Sequence, residues 1–196
     1  MQNHISKYEV LLASSSKRRH ELLDKMKIKF KILKQDVDEY FSNELKESEI
    51  TEFLAKKKSN LFYKKLKNNQ ILITCDTIVW HEYKAFGKPQ NLTEAVKMLN
   101  CLNNKMHKVF SSICLSIKGR QIIVSQETKV FFRKLEPWQI KHYVENYDVL
   151  DRAGAYGVQD YIGHIGIEKI EGSYNNVLGF PTTRFVDALN KIDISI

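Results

Sequence analysis

Asp76 sits inside ILITCDTIVW, a run that otherwise suits a core strand. A lone carboxylate is costly there unless it is paired or binds a metal. At a strand end, with Thr77 beside it, Asp76 suits a metal ligand or a general base for water. The plainer alternative is a strand-terminal Asp bonded to backbone. SSSKRR (Ser14 to Arg19) follows another apolar run directly. Free N–H groups and a helix dipole at such a junction favour an anion. Ser14 and Ser16 can donate to phosphate oxygens, and Arg18 and Arg19 add planar, permanently charged forks. The alternative is an ordinary N-cap followed by two surface arginines. DVDE holds Asp36, Asp38 and Glu39, hard oxygen ligands suited to Mg²⁺ or Mn²⁺, or else an acidic surface loop. Gly87-Lys88-Pro89 fixes a turn from which an ammonium can be aimed. In DRAGAYGVQ, Gly154 and Gly157 permit tight turns or close approach to a ligand. Gln159 offers the donor and acceptor that reading a base edge needs. Together these strings describe a site for a nucleoside triphosphate and a divalent cation.

The elements that position these residues follow from periodicity. Tyr8 to Ala13 reads as a buried strand, followed by a helix over KRRHELLDKM with Ser16 as N-cap. Phe30 to Leu33 reads as a second strand that runs into the acidic loop. Glu44 to Leu66 is expected to be mostly helical, with Ile50, Phe53, Leu54, Leu61 and Phe62 on one side. Ile71 to Trp80 reads as a central strand, and a helix capped at Thr93 turns Ala95, Val96 and Leu99 inward. Val109 to Lys118 and Gln121 to Arg133, joined at Gly119, read as a β-hairpin. Pro137 opens a further helix at its N1 position. A short strand pair is expected around Gly163 to Ile170, then a loop wall at GSYNNVLGFP and a last helix from Thr183 to Lys191. Early alternation of strands and helices with a hairpin between them predicts an α/β fold with a mixed, twisted β-sheet flanked by helices.

The length of 196 residues suits a single domain over 1–196, with room for two lobes. Hydrophobic content of 43% with 28% charged residues matches an ordinary soluble globular protein. No apolar run is long enough for a membrane span, and MQNHISKYEV lacks a signal-peptide core, so a cytoplasmic location is expected. Cys75, Cys101 and Cys114 fit neither a disulfide set nor a zinc pattern and read as free thiols, with Cys75 buried and inert. The histidines show no HxxxH or HExxH spacing, and neither a GxSxG nor a P-loop is present. The net charge of +8 fits a nucleic-acid partner, a small polyanion or a lysine-rich surface. KKK at 56–58 and KKLK at 64–67 read mainly as a solvated helix face.

Taken in order, these strings resemble the Maf family of nucleoside triphosphate pyrophosphatases. The match runs through SxSxRR at Ser14–Arg19, the Glu of DVDE, LAxxK at Leu54–Lys58, DTIV at Asp76–Val79 and GKP at Gly87–Pro89. It continues through EAxxML at Glu94–Leu99, HxV at His107–Val109, DxAGAYGxQ at Asp151–Gln159 and GSYxxVxGxP at Gly172–Pro181. The resemblance covers about residues 8 to 185. It implies hydrolysis between the α- and β-phosphates with a divalent metal, and two lobes around a nucleotide-binding cleft. It further implies Asp76 as proton acceptor for water, Glu39 assisting with metal or water, and Arg19, Lys58 and Lys88 holding the triphosphate beside Ser14 and Ser16. Asp76 and Glu39 are the implied metal ligands.

In the branch similar to dTTP/UTP pyrophosphatases, the base-selecting positions fall on Arg18, Thr77 and Gln159, and all three match. The 7-methyl-GTP branch usually has Gln where Thr77 stands. Lys17 replaces a typical Pro, Cys75 a common Ala and Arg152 a Lys; none of these removes a proposed catalytic group. The expectation is a housecleaning enzyme acting on dTTP and UTP, with modified pyrimidine nucleotides as further candidates. The same hydrolysis on another base is one alternative. A regulatory binding protein in cell division, a role linked to the family, is another. A nucleoside triphosphate is the expected partner, membrane and nucleic acid are not, and a homodimer is left open.

Overall fold

A computed structural model describes residues 5–34 and 37–193. Asp36 of the acidic cluster and residues 1–4 of the N-terminal stretch lie outside them. The strands are β1 (Glu9–Leu12), β2 (Lys31–Ile32), β3 (Gln70–His81), β4 (Lys84–Phe86), β5 (Met106–Ile117), β6 (Arg120–Phe132) and β7 (Ile167–Glu171). The helices are α1 (Lys17–Lys25), α2 (Ser48–Tyr63), α3 (Leu92–Leu102), α4 (Pro137–Asn146), α5 (Tyr161–Gly166), α6 (Tyr174–Val177) and α7 (Thr182–Asp193).

Among the described residues the strands form one seven-stranded sheet in the order β2-β1-β3-β5-β6-β7, with β4 paired to β3. β1 runs parallel to both β2 and β3, whereas β4 on β3 and β7 on β6 are antiparallel, so the sheet is mixed as expected. β5 and β6 are sheet neighbours joined by the turn at Gly119, whose positive φ of 83° suits glycine.

The chain divides into two compact units. The first comprises Met1–Asp76, Ser111–Gln126 and Gly179–Ile196, and the second Thr77–Phe110 and Glu127–Leu178. The boundary on β3 falls between Asp76 and Thr77. In the first unit, Leu11, Ala13, Leu66 and Leu72 pack with Phe62 and Leu33. In the second, Val79, Leu99, Val109, Phe132, Tyr143 and Tyr156 belong to one apolar cluster.

Four expectations change. On α2 the buried face is Ile50, Thr51, Leu54, Ala55, Lys58 and Ser59, while Phe53 and Leu61 are exposed. Polar residues turn this face inward because each finds a partner: Thr51 Oγ1 lies 2.6 Å from Ser112 Oγ, and Ser59 Oγ 2.7 Å from Ser116 Oγ. On α3 the cap is Asn91 rather than Thr93; its side chain accepts the Glu94 N–H at 2.9 Å. The strand pair around Gly163 is instead α5 followed by β7. A Cβ at Gly163 would overlap the Val158 carbonyl, so this glycine serves close packing of a helix rather than a strand bend. The loop wall at GSYNNV contains the short helix α6, capped by the Ser173 side chain.

Candidate active site

In the first unit, parallel pairing places Leu12 of β1 opposite Ile73 of β3. The same register carries the chain just after β1, where Ser14 lies, toward Cys75 and Asp76 on β3. The Arg19 guanidinium links them: it donates to Ser14 Oγ at 3.2 Å, to the Cys75 carbonyl at 3.3 Å and to the Gly179 carbonyl at 2.9 Å. Ser14 Oγ also accepts the Ser16 N–H at 3.3 Å. Ser16 is the residue before α1, as expected, but its own side chain makes no cap hydrogen bond. Arg18, next on α1, is half-buried.

Lys58 reaches this region from α2 because it follows Leu54 by one helical turn on the buried face. Its ammonium donates to Asp76 Oδ1 at 2.6 Å and to Glu39 Oε1 at 2.7 Å. Of the three neighbouring lysines it alone is buried; Lys57 is half-buried and donates to the Tyr40 carbonyl, and Lys56 is exposed. The Asp76 and Lys58 side chains are only 7% and 6% exposed, whereas Glu39 is 50% exposed. Burial pushes the Asp76 carboxyl above the ordinary carboxylate range, with the Lys58 charge pulling it part of the way back. Burial also disfavours the Lys58 charge, yet Asp76 and Glu39 together outweigh it and hold the ammonium above its usual range. The Cys75 thiol is pushed up to about 11 by burial, which fits the inert thiol expected of it.

No group of three or more His, Cys, Asp or Glu side chains converges among the described residues. Asp76 and Glu39 do meet on one cation, the Lys58 ammonium. Two carboxylates fit a hard divalent ion that takes its remaining ligands from phosphate and water.

In the second unit, the GKP turn and the AGA turn are joined. The Gly154 N–H donates to the Gly87 carbonyl at 3.0 Å, and Lys88 Nζ lies 2.6 Å from Asp151 Oδ1. Thr77 is half-buried. Gln159 is half-buried as well, but its Oε1 is buried and has no hydrogen-bond partner among the described residues. His107 Nε2 lies 2.7 Å from the Tyr156 hydroxyl, and burial pushes its imidazole down to about 3, so it is neutral.

Direct contacts thus gather Ser14, Arg19, Lys58, Glu39 and Asp76 in the first unit, while Lys88, Thr77 and Gln159 belong to the second. Two features have no counterpart in the sequence reading. Asp151 meets Lys88, and Asp160 takes hydrogen bonds from Tyr143 and Arg152. The one signal for Asp160 is its place directly after Gln159. Tyr143 reads in sequence as an interior residue of α4, with nothing to mark its hydroxyl.

The sequence profile of the family described as Maf-like protein matches residues 9–192. The chain is 45% identical over 192 residues to the dTTP/UTP pyrophosphatase of Christiangramia forsetii, covering 98% of each chain. It is 41% identical to the dTTP/UTP pyrophosphatase of Flavobacterium johnsoniae, over 98% of this chain and 99% of that one. It is 38% identical to that of Bacteroides fragilis, over 96% and 98%. Among solved structures, the Staphylococcus aureus Ham1 protein shares the fold, with a TM-score of 0.51 at 15% identity, covering 96% of this chain and all of that one. With the profile and these relatives spanning nearly its whole length, the chain belongs to the Maf-like protein family.

Proposed function

We propose that this protein hydrolyses dTTP and UTP to the nucleoside monophosphate and pyrophosphate. The observation that carries the reading is the buried Asp76–Lys58 pair with Glu39 on the same ammonium, a carboxylate of raised proton affinity held beside a cation. Asp76 accepts a proton from water as its oxygen attacks the α-phosphorus. The bond from that phosphorus to the α,β-bridging oxygen breaks, and its electron pair leaves with pyrophosphate. A carboxylate that binds its proton more tightly than usual is a better base at neutral pH. Lys58, Arg19 and Lys88 offset the charge that develops on the phosphate oxygens, and Ser14 and Ser16 donate to them. A bound Mg²⁺ or Mn²⁺, held by Asp76 and Glu39, would screen the triphosphate and acidify water. Arg18, Thr77 and Gln159 select the base. The enzyme acts in the cytoplasm, in a housecleaning role.

The test is pyrophosphate release from dTTP, UTP, CTP, GTP and 7-methyl-GTP with either metal, run beside Asp76→Asn. Turnover strongest on dTTP and UTP and lost in the variant is the expected result. Turnover on 7-methyl-GTP alone would overturn the base assignment, and no turnover on any nucleotide would overturn the enzymatic reading.

A further inference from the structure

We infer that Tyr143 is a positioning residue for Gln159, holding residues 157–160 in one shape from α4 and so setting the choice of base. This rests on the base-selection reading above. Tyr143 is fully buried. Its hydroxyl accepts the Gly157 N–H at 3.0 Å and donates to Asp160 Oδ2 at 3.0 Å. The Asp160 N–H in turn donates to the Gly157 carbonyl at 3.1 Å. A four-residue turn is therefore closed twice between the same two residues, once by its own backbone and once through one hydroxyl. Gln159 lies inside that closed turn.

Each group in the ring has its role fixed. Arg152 Nε donates to Asp160 Oδ2 at 3.2 Å, with both side chains largely buried, so the carboxylate acts purely as an acceptor. Burial, reinforced by the Asp160 charge, raises the Tyr143 phenol, which keeps its proton and remains the donor. A Cβ at Gly157 would overlap the Asp160 carboxylate, so the ring closes only with glycine there. Gln159, inside this turn, carries a buried Oε1 acceptor with no partner among the described residues. Such an acceptor is costly until a ligand donor meets it. Thymine and uracil carry an N3–H donor in the ring; cytosine has an acceptor at that position. A fixed Gln159 acceptor therefore rewards the first two and penalises the third, and the penalty weakens once the turn loosens.

The experiment measures kcat and KM for UTP and CTP in the wild type, Tyr143→Phe, Asp160→Asn and Gln159→Leu, with thermal melts to verify folding. Where CTP turnover is too slow, its inhibition constant against UTP replaces it. Tyr143→Phe keeps the buried ring and removes only the hydroxyl. The expected result is a UTP-over-CTP preference in kcat/KM reduced about tenfold, mostly through the KM for UTP, as for loss of one buried hydrogen-bonding group. Asp160→Asn moves the ratio in the same direction and guards against misfolding of the first variant. A role confined to stability would lower both nucleotides together. If both variants change UTP and CTP equally, or change neither, while Gln159→Leu collapses the preference, the positioning role is overturned and base selection stands. If Gln159→Leu leaves the preference intact, the base-selection reading falls and this inference with it.

Discussion

Two lysine–aspartate pairs in this protein have the same length and opposite settings. Lys58–Asp76 in the first unit and Lys88–Asp151 in the second both close to 2.6 Å. The first pair is 6% and 7% exposed, the second 49% and 43%. Distance therefore says little about what each pair contributes. In the buried pair no water replaces a lost partner, so each charge depends on the other. In the exposed pair solvent screens both charges, and either can change partner at little cost. The difference suits the two tasks of the proposed mechanism: a buried pair would hold a base in a fixed place, and an exposed lysine can exchange a carboxylate for a phosphate.

The largest expected effect comes from the buried carboxylate. Asp76→Asn keeps an acceptor for Lys58 but cannot take a proton from water. We expect kcat to fall by about a thousandfold or more, roughly 4 kcal/mol of barrier, with the fold retained. Steady-state pyrophosphate release checks this, and retention of a tenth of the activity would rule Asp76 out as the base. Next in size is Lys58→Met, which leaves Asp76 buried beside Glu39 without their shared cation. Urea unfolding at pH 7 is expected to show a loss of about 3 kcal/mol. A loss below about 1 kcal/mol would mean that the buried pair is as dispensable as exposed pairs are.

The same contrast explains how much could be read from sequence. Asp76 was legible because a charge breaks the apolar pattern of β3. Lys58 was legible only through the LAxxK spacing, since two more lysines precede it and composition treats all three alike. Asp151 as the partner of Lys88 was not legible. The two lie 63 positions apart in sequence (151 − 88), and an exposed pair leaves no hydropathy signal. Ile50 and Leu54 lie on the buried face of α2 as expected, but the exposed Phe53 and the buried Ser59 shift that face for a related reason. Hydroxyl partners on β5 come from tertiary pairing, which a helical periodicity does not contain. Likewise the Gly163 to Ile170 segment reads as a short strand pair until the Val158 carbonyl is seen packed against Gly163.

A buried titratable group with no opposite charge makes a third case, intermediate in size. His107 is 1% exposed and has a hydroxyl, not a carboxylate, as its partner. Burial depresses its folded value to about 3, against an unfolded value of about 6.5. The unfolded chain therefore binds the extra proton first as the solution is acidified. The contribution of His107 to stability is fully present above about pH 6.5 and is lost as the pH falls toward 3. Between pH 7 and pH 5 the loss is about 2 kcal/mol, and it is absent in His107→Gln. Urea unfolding at the two pH values measures both, and parallel pH slopes for wild type and variant would show that His107 takes up its proton as readily in the fold as in the unfolded chain.

The smallest expected change in stability belongs to the exposed pair. Lys88→Ala removes the ammonium from Asp151, but solvent hydrates the carboxylate that remains. The free energy of unfolding should move by no more than about 0.5 kcal/mol, and less in 0.5 M salt. Catalysis should respond differently, because in the proposed mechanism Lys88 meets the triphosphate where solvent is displaced. A charge-assisted contact to phosphate contributes about 1.5–3 kcal/mol, so the KM for UTP should rise roughly tenfold or more. Asp151→Asn separates the two roles of this lysine. It frees Lys88 from its intramolecular partner without removing the ammonium, so the KM for UTP should stay near the wild-type value or fall slightly. If Asp151→Asn instead raises KM as much as Lys88→Ala does, the pair is a rigid scaffold, and the exposed lysine is held as firmly as the buried one.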